Sequence, residues 1–423
     1  MQRISAPGSR PGLKRINDLL SLLAQPQQNL PVVHIAGTNG KGSTSLMVAD
    51  ILSIAGYRVG RFNSPHLHSY TERYAINGQE ITQGTLKYYL DQIEALIPIL
   101  LLENGDQPTE FEILTALAFL YFRDQQVDIA VLEVGMGGLY DSTNIVNPEV
   151  AVITSIDYDH TDYLGNTIEE IAMNKAGIIK PGVPVVLGEV CAAAQDVVKK
   201  QAARFDAPIT MSHEVQVTRI QPPDLQGQYI NLKSRHFNLK RQFFALLGDY
   251  QLNNLAAAIS TIEVLIDRGY RVEEKCLVRA LAHFKLAGRL EILQKKPLVI
   301  GDAAHNPHGT RALAKSLQEL CPQQKRVLVC GMLDDKDIEA SLGVLKDQTR
   351  AVVVTRPAGE RSQNWQQTAT LLRQIYTSSN VYAVESITAA VRKGLEILEN
   401  EEYLLITGSF YVLDEAGSLF TNS

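Results

Sequence analysis

The sequence is poor in cysteine, in net positive charge and in long apolar stretches, and each scarcity excludes a class of protein. Only four cysteines occur in 423 residues and none forms a CxxC pair, so we expect neither a disulfide scaffold nor a cysteine-based metal site. The longest apolar stretch, residues 96–102, is far too short to span a membrane. A net charge of −6 is opposite in sign to the basic surface of a general nucleic-acid binder. We therefore expect a cytoplasmic protein without membrane or nucleic-acid partners.

The composition is that of an ordinary globular protein. Hydrophobic residues make up 45% of the chain and charged residues 20%, which excludes a disordered chain. The length exceeds what one hydrophobic core usually serves, so two domains are expected.

A buried strand, a glycine-rich loop and a helix follow one another between Val32 and Thr44. The loop reads GTNGKGS over residues 37–43, with the helix expected to open at Ser43. Backbone N–H groups and the positive end of a helix meet at such a turn, which suits phosphate, and Lys41 adds a cation. The alternative is a plain glycine turn, but the lysine and the flanking elements favour a nucleotide site. In the usual P-loop a serine or threonine follows the lysine and binds Mg²⁺; here Gly42 follows, so that hydroxyl must come from elsewhere.

Carboxylates and a histidine stand near the ends of two further predicted strands. Glu133 lies near the end of a buried strand, where open α/β sheets bind ligands, and is a candidate Mg²⁺ ligand or the partner of an arginine. Residues 157–162, which read DYDHTD, suggest a metal or phosphate environment or a solvated acidic turn. Residues 63–73 are predicted to form an exposed polar loop, which either contacts a ligand or is plain surface.

The second half of the chain changes pattern twice. From Glu189 to Leu239 the pattern is irregular, and alternation near residues 215–217 and 230–232 favours a small β-meander. A linker is expected to end at residues 295–297, and strands and helices then alternate as far as Thr407. The expected architecture is α/β, with a P-loop-type parallel-sheet N-terminal domain (1–287) that includes the meander. A smaller Rossmann-like α/β C-terminal domain (296–423) follows.

Taken together, these stretches resemble the folylpolyglutamate synthase and dihydrofolate synthase family, part of the Mur-type ATP-dependent ligases. The motifs are GTNGKGS (37–43), SPHL (64–67), EVGMGG (133–138), DHT (159–161), KAGIIK (175–180) and DAAHNP (302–307). Each motif alone is weak, but six in the family's order across nearly the whole chain are specific. Tyr250 departs from the family pattern, which frequently has a histidine there.

The resemblance implies a role for each matching residue. The ATP phosphates would be bound by Gly37, Thr38, Asn39, Gly40, Lys41, Gly42 and Ser43. Further nucleotide contacts would come from Asn254, Arg289 and Asp302. One Mg²⁺ would be held by Ser64 and Glu133, and a second by His160 and by Lys175, which is carbamylated in this family. The incoming glutamate would meet His305 and, at a second position, Ser409. The expected catalytic residues are Lys41, His160, Lys175 and His305.

The reaction implied by the resemblance is the ATP-dependent addition of L-glutamate to dihydropteroate, to a reduced folate, or to both. It would proceed through an acyl phosphate with two Mg²⁺ and no covalent enzyme intermediate. A monomer is expected, and the two domains should close on the nucleotide. The alternatives are another Mur-type amino-acid ligase acting on a nucleotide-linked muramyl substrate, and a P-loop nucleotide-binding protein without ligase activity.

Overall fold

A computed structural model describes residues 5, 8, 10–377 and 380–420 of the chain. None of the helices in these ranges is both long enough and apolar enough to cross a membrane. The chain divides into two compact units. The first comprises residues 1–218, 231–242 and 252–284, and the second comprises residues 219–230, 243–251 and 285–423. The domain bounds 1–287 and 296–423 remain a prediction.

An eight-stranded sheet forms the centre of the first unit. Its strands are β1 (Val32–Ala36), β2 (Val59–Phe62), β3 (Tyr74–Ile76), β4 (Gln79–Glu80), β5 (Ile129–Glu133), β6 (Val150–Ile153), β7 (Val185–Leu187) and β8 (Ile209–Met211). The strand order is β4-β3-β2-β5-β1-β6-β7-β8. Strand β1 pairs in parallel with both β5 and β6, whereas β3 pairs in antiparallel with β2 and β4. The predicted parallel sheet is therefore confirmed, with an antiparallel edge.

Helices surround this sheet and supply most of the apolar core. They are α1 (Lys14–Leu22), α2 (Lys41–Ile54), α3 (Gln83–Glu94), α4 (Ile97–Asn104), α5 (Glu110–Asp124), α6 (Thr161–Leu164), α7 (Ile168–Ala176), α8 (Ala192–Arg204), α9 (Asp249–Asp267) and α10 (Glu274–His283). One buried cluster joins α1, α3 and α5 to β2 and β5. Another joins α7 and α8 to β6 and β7.

Two local predictions for this part of the chain were wrong. Helix α8 lies within the stretch that we interpreted as irregular, because its buried face is built from Ala194, Val198 and Ala202, and alanine is a weak marker of periodicity. Residues 63–73 are not simply exposed: a 3₁₀ helix covers Tyr70–Arg73, and Thr71 and Arg73 are buried.

A small three-stranded sheet confirms the predicted β-meander. Its strands are β9 (Gln216–Arg219), β10 (Gln228–Lys233) and β11 (Asn238–Phe244), in the order β11-β10-β9. Neighbours in this sheet are thus neighbours in the chain, as in a meander.

A six-stranded sheet forms the core of the second unit. Its strands are β12 (Glu291–Lys295), β13 (Leu298–Asp302), β14 (Arg326–Cys330), β15 (Thr349–Val354), β16 (Asn380–Ala383) and β17 (Tyr403–Thr407), in the order β12-β13-β17-β14-β15-β16. The helices are α11 (Pro307–Leu320), α12 (Ile338–Leu342), α13 (Trp365–Ile375), α14 (Ile387–Glu396) and α15 (Phe410–Gly417). Strands β13 to β17 are parallel, but β12 pairs in antiparallel with β13. The linker expected at residues 295–297 is therefore wrong, because Lys295 belongs to an edge strand.

Candidate active site

The glycine loop joins β1 to α2 and turns sharply at Gly40. Gly40 has a left-handed backbone (φ 83°) and is the N-cap of α2, which begins at Lys41, two residues earlier than predicted. The first hydrogen bond of the helix runs from the N–H of Thr44 to the carbonyl of Gly40, 2.9 Å. The N–H groups of residues 41–43 therefore have no intrahelical acceptor, which is the arrangement that binds anions.

Lys41 lies back over this loop. Its Nζ donates to the carbonyl oxygens of Gly37 (2.9 Å) and Thr38 (3.2 Å). The ammonium group is thus held beside the same turn as the helix amides, and both contribute positive charge at one place.

The segment after β6 supports the loop, a contribution that the sequence analysis missed. The N–H groups of Thr38 and Asn39 donate to the carbonyl and hydroxyl oxygens of Ser155, both at 2.9 Å. The hydroxyl of Thr154 donates to the carbonyl of Asn39 at 2.6 Å. Because β6 is adjacent to β1 in the sheet, this segment emerges beside the loop. The position of this segment beside the loop could have been predicted only from the strand order.

Asn254 lies directly over Gly40. A β-carbon at Gly40 would overlap the Oδ1 atom of Asn254, so the amide occupies the space that any other residue at position 40 would need. The first half of α9 thereby places an amide beside the loop. The nucleotide contact of Asn254 stays a prediction.

Glu133 approaches the loop from the end of β5. A β-carbon on Gly42 would lie 3.5 Å from Glu133 Oε2, so the carboxylate is beside the first turn of α2. Oε2 accepts hydrogen bonds from Asn63 Nδ2 (2.7 Å) and from the N–H of Ser64 (3.1 Å). Ser64 and Glu133, predicted to share a metal, are therefore brought together, and Asn63 is a neighbour that the sequence analysis missed.

Lys175 is buried near the end of α7, with 2% of its surface exposed. Burial, the largest cause, and the charge of Lys41 together lower the pKa of this amine to about 7, and Asp159 opposes the shift. The helix is held near the end of β5 by a 2.8 Å hydrogen bond from the N–H of Leu139 to the carbonyl of Asn174. The lowered pKa gives Lys175 a substantial neutral fraction near pH 7, and the neutral amine is a nucleophile rather than a cation.

His160 follows Asp159, the carboxylate that opposes the pKa shift of Lys175. It is the N-cap of α6 with a left-handed backbone (φ 49°), and its N–H donates to Asp159 Oδ1 at 3.0 Å. The metal environment suggested for residues 157–162 is not formed as a cluster. Throughout the described ranges, no group of three or more His, Cys, Asp or Glu side chains is placed to hold a metal. A metal bound here would need other ligand types as well.

In the second unit, Asp302 is buried at the end of β13 and organises its surroundings. Its carboxylate accepts hydrogen bonds from the N–H groups of Leu290 (2.9 Å) and Ala304 (2.8 Å) and from the Tyr250 hydroxyl (3.2 Å). Burial raises the pKa of Asp302, while the nearby charge of Arg289 opposes the shift. Arg289 and Asp302, both predicted nucleotide contacts, are therefore neighbours.

Phe410 links the other predicted groups of this unit and was missed by the sequence analysis. The guanidinium carbon of Arg289 lies 4.9 Å from the centre of its ring, and the ring of His305 lies 6.4 Å from it. Ser409 precedes Phe410, and its hydroxyl accepts the N–H of Val412 at 3.2 Å as the N-cap of α15. Its predicted contact with glutamate stays a prediction.

A cavity of about 870 Å³ opens beside Ser64 in the first unit. Its apolar walls include Phe111, Met136, Tyr140 and Tyr163. Its polar lining includes the carboxyl residues Glu110, Glu112 and Asp141 and the basic residues Arg10 and Arg73. The size and the mixed lining suit a flat aromatic ligand with hydrogen-bonding edges.

Comparisons with known proteins show the family to which the chain belongs. The model of the Mur ligase middle domain matches residues 35–262, and that of the Mur ligase, glutamate ligase domain matches residues 288–410. The fold and these two matches thus define an ATP-dependent Mur-type ligase. The dihydrofolate synthase/folylpolyglutamate synthase of Bacillus subtilis is 34% identical over 96% of this chain and 94% of that protein. The Escherichia coli protein of the same name is 33% identical over 95% of this chain and 89% of that protein. The chain belongs to the dihydrofolate synthase/folylpolyglutamate synthase family, as its motifs predict.

Solved structures show the same similarity. The folylpolyglutamate synthase of Mycobacterium tuberculosis, complexed with ADP and AMPPCP, superposes with a TM-score of 0.92 at 33% identity, over 98% of this chain and 96% of that one. Escherichia coli FolC in complex with DHPP and ADP superposes with a TM-score of 0.87 at 30% identity, over 99% of this chain and 95% of that one.

Proposed function

We propose that this ligase joins L-glutamate to the carboxylate of a pterin acid, either dihydropteroate or a reduced folate, while ATP becomes ADP and phosphate. One observation carries the proposal. The phosphate-binding loop, the Glu133 carboxylate and the buried Lys175 are brought together at the carboxyl edge of one sheet, beside a cavity of suitable size for a pterin.

The loop supplies what phosphoryl transfer requires. The carboxylate oxygen of the pterin acid attacks the terminal phosphorus of ATP, the bond to the β-phosphate oxygen breaks, and ADP leaves. This chemistry depends on positioning and on neutralising charge. The amides of residues 41–43 and the Lys41 ammonium provide a fixed positive field that needs no rearrangement during the reaction.

The amide bond then forms at the activated carbon. The amine of glutamate attacks the acyl phosphate, phosphate leaves with the bonding electrons, and the amine loses a proton. His305, Ser409, Arg289 and Asp302 are proposed to act on glutamate and nucleotide from the second unit. No enzyme side chain becomes covalently attached to the substrate, so labelled phosphate should not remain on denatured enzyme.

We propose that two Mg²⁺ bind to residues of the first unit. Ser64 and Glu133 supply oxygen ligands of the kind that Mg²⁺ prefers, and both hydrogen bonds to Glu133 go to Oε2, so Oε1 carries neither of them. His160 and Lys175 would hold the second ion. When bound, the metals would neutralise the phosphate charge.

Lys175 can be a metal ligand only if its charge is reversed. An ammonium repels Mg²⁺, whereas a carbamate formed by addition of CO₂ offers anionic oxygens. The neutral amine is the form that adds CO₂, and burial lowers the pKa of Lys175 to about 7. We therefore propose that Lys175 is carbamylated in the active enzyme.

The cavity beside Ser64 is proposed to bind the pterin. The aromatic walls can stack on its rings, and the carboxyl groups of the lining can accept hydrogen bonds from its N–H groups. Ser64 lines this cavity and donates to Glu133 beside the glycine loop, so we propose that the acid to be activated lies on this side of the cavity.

The experiment is an ADP-release assay with each substrate omitted in turn. We expect release only when glutamate and a pterin acid are both present, with dihydropteroate and tetrahydrofolate assayed side by side. Lys41→Met should abolish release, whereas Lys87→Met, which changes an exposed lysine of α3 paired with Asp91, should not. Release with a muramyl nucleotide instead, or slow release that needs neither co-substrate, would select one of the alternatives.

A further inference from the structure

A groove of about 760 Å³ runs along the edge of the sheet in the second unit. Among the described residues, β16 is the last strand of that sheet, so one side of the strand is open. Residues of β16 and α14 line the groove together with Arg373 of α13. We call it the β16 groove. None of the residues that line it belongs to the candidate active site.

The backbone of β16 presents hydrogen-bonding groups to this groove. The N–H of Val384 donates to the carbonyl of Val354 on β15 at 2.9 Å, so the backbone groups of Val384 point into the sheet. Those of successive residues in a strand point alternately to opposite sides. The backbone groups of Val381 and Ala383 therefore point away from β15, toward the groove that both residues line. An extended chain laid along β16 would meet donors and acceptors at the spacing of a strand.

The side chains around this edge are mostly basic, although the protein has a net charge of −6. Arg373, Arg392 and Lys393 line the groove, with Glu396 as the acidic residue. Lys393 donates to Glu396 at 3.1 Å, and its Nζ lies 5.5 Å from the centre of the Tyr382 ring. Arg373 and Arg392 are exposed, and neither forms an ion pair with another residue that the structure describes. Two guanidinium groups beside the open edge can therefore pair with an acidic ligand.

We propose that the β16 groove binds an extended acidic segment of a partner protein, which joins the sheet as a further strand. The open edge supplies backbone pairing, and the basic side chains select an acidic sequence. A second copy of this chain does not fit, because pairing two β16 edges would bring the arginines of both copies together. The inference is independent of the proposed function, since it uses no residue assigned to the reaction.

The probe is a fluorescent peptide that alternates glutamate and valine and is long enough to pair with the whole of β16. Side chains alternate between the two faces of a strand, so its glutamates all lie on one face, toward either α14 or α13. One comparison peptide has lysine in place of glutamate. The other probe is an oligomer of γ-linked glutamate, which carries the same number of carboxylates but lacks the backbone spacing of a strand. Binding to the full chain is measured by fluorescence anisotropy.

We expect the acidic peptide to bind at least about tenfold more tightly than either comparison probe. Positive charge repels the lysine peptide, and the γ-linked oligomer cannot form the backbone ladder, in which each hydrogen bond changes Kd by roughly two- to tenfold. Bound peptide should slow amide hydrogen exchange at Val381 and Ala383. Exchange at Val384 should stay unchanged, because its N–H already pairs with β15.

Substitutions separate the charges from the strand edge. Arg373→Ser and Arg392→Ser should each raise the Kd of the acidic peptide about two- to fivefold, the range of an exposed ion pair. Lys200→Ser, at an exposed lysine of α8, should leave it unchanged. Ala383→Pro removes an outward N–H, a change that an edge strand tolerates, and should abolish binding. Ala383→Val keeps that N–H and should retain binding. ADP release should equal that of the wild type in every variant.

Three results would overturn the inference without affecting the proposed function. Equal affinity for the acidic peptide and the γ-linked oligomer would mean attraction by charge without strand addition. Unchanged exchange at Val381 and Ala383 in the bound state would exclude pairing with β16, and this measurement decides if Ala383→Pro does not fold. Absence of binding by the acidic peptide, with self-association of the two arginine variants in ultracentrifugation, would mean that the basic residues only protect the edge from other strands.

Discussion

Replacing Gly40 by alanine should weaken nucleotide binding as well as the fold. Gly40 has a left-handed backbone (φ 83°), and a β-carbon there would overlap Asn254 Oδ1. The conformation alone should cost about 1–2 kcal/mol of unfolding free energy. In addition, Asn254 must leave its place over the loop, and loss of one hydrogen bond to the nucleotide corresponds to about a tenfold increase in Kd.

Gly78 provides the matched control for this change. It has nearly the same backbone angle (φ 77°), but no atom lies within 4 Å of the place that its β-carbon would occupy. Gly78→Ala should therefore lose only the free energy of the backbone conformation in urea unfolding, and it should keep the wild-type Kd for ADP in calorimetric titration. If the two variants bind ADP equally, the position of Asn254 over the loop does not matter for the nucleotide and the reasoning is refuted.

A double-mutant cycle separates the two costs at Gly40. In an Asn254→Ala background the overlapping amide is gone, so Gly40→Ala should retain only the cost of its backbone conformation. Residues in contact couple by about 0.5–3 kcal/mol, and we expect a coupling in this range in unfolding free energy. Additive changes in unfolding free energy would mean that the Asn254 side chain can move aside without a loss of stability.

Three further predictions follow from the same structure. At pH 7 about half of the Lys175 amine should be neutral, whereas about 0.03% of an exposed lysine is neutral. Because the neutral form predominates above this lowered pKa, carbamylation and activity should rise as the pH rises through about 7. Both should also depend on bicarbonate. Intact-mass measurement under CO₂ should detect the adduct in wild type but not in Lys175→Met, and full activity of that variant would remove the idea. Phe410→Leu should raise KM for ATP several-fold, because a cation–π contact with Arg289 contributes about 0.5–2 kcal/mol. Tyr411→Leu, which changes an exposed neighbour, should leave KM for ATP unchanged. Equal KM values for the two variants would contradict the role of Phe410. If both units act on one ATP, solution scattering should show a more compact particle with nucleotide and substrates than without, and identical profiles would exclude closure.

Most secondary structure in the second unit could be predicted from the sequence, because each buried parallel strand is a short apolar run that is followed by an amphipathic helix. Strand β12 was the exception. Its residues are only partly buried and its charged ends resemble a linker, so its pairing with β13 depends on where the sheet edge lies. Helix α8 was missed for a related reason. Its buried face is mostly alanine, and alanine differs too little in hydrophobicity from the exposed residues to produce a clear helical pattern.

Local chemistry determined the phosphate-binding loop. Glycines, a lysine and a helix start lie within seven consecutive residues, and their conformational preferences and charges require no distant partner. The sequence alone therefore predicted the loop, and phosphate as its ligand stays a prediction. The support of the loop by Thr154 and Ser155, the amide of Asn254 above it, and the stacking of Arg289 on Phe410 come from residues far apart in the chain. They become neighbours only when strands and helices take their order in space. The lowered pKa of Lys175 is likewise decided by tertiary structure. Burial and the distance to other charges depend on the place that the fold gives a residue, and not on the residue itself.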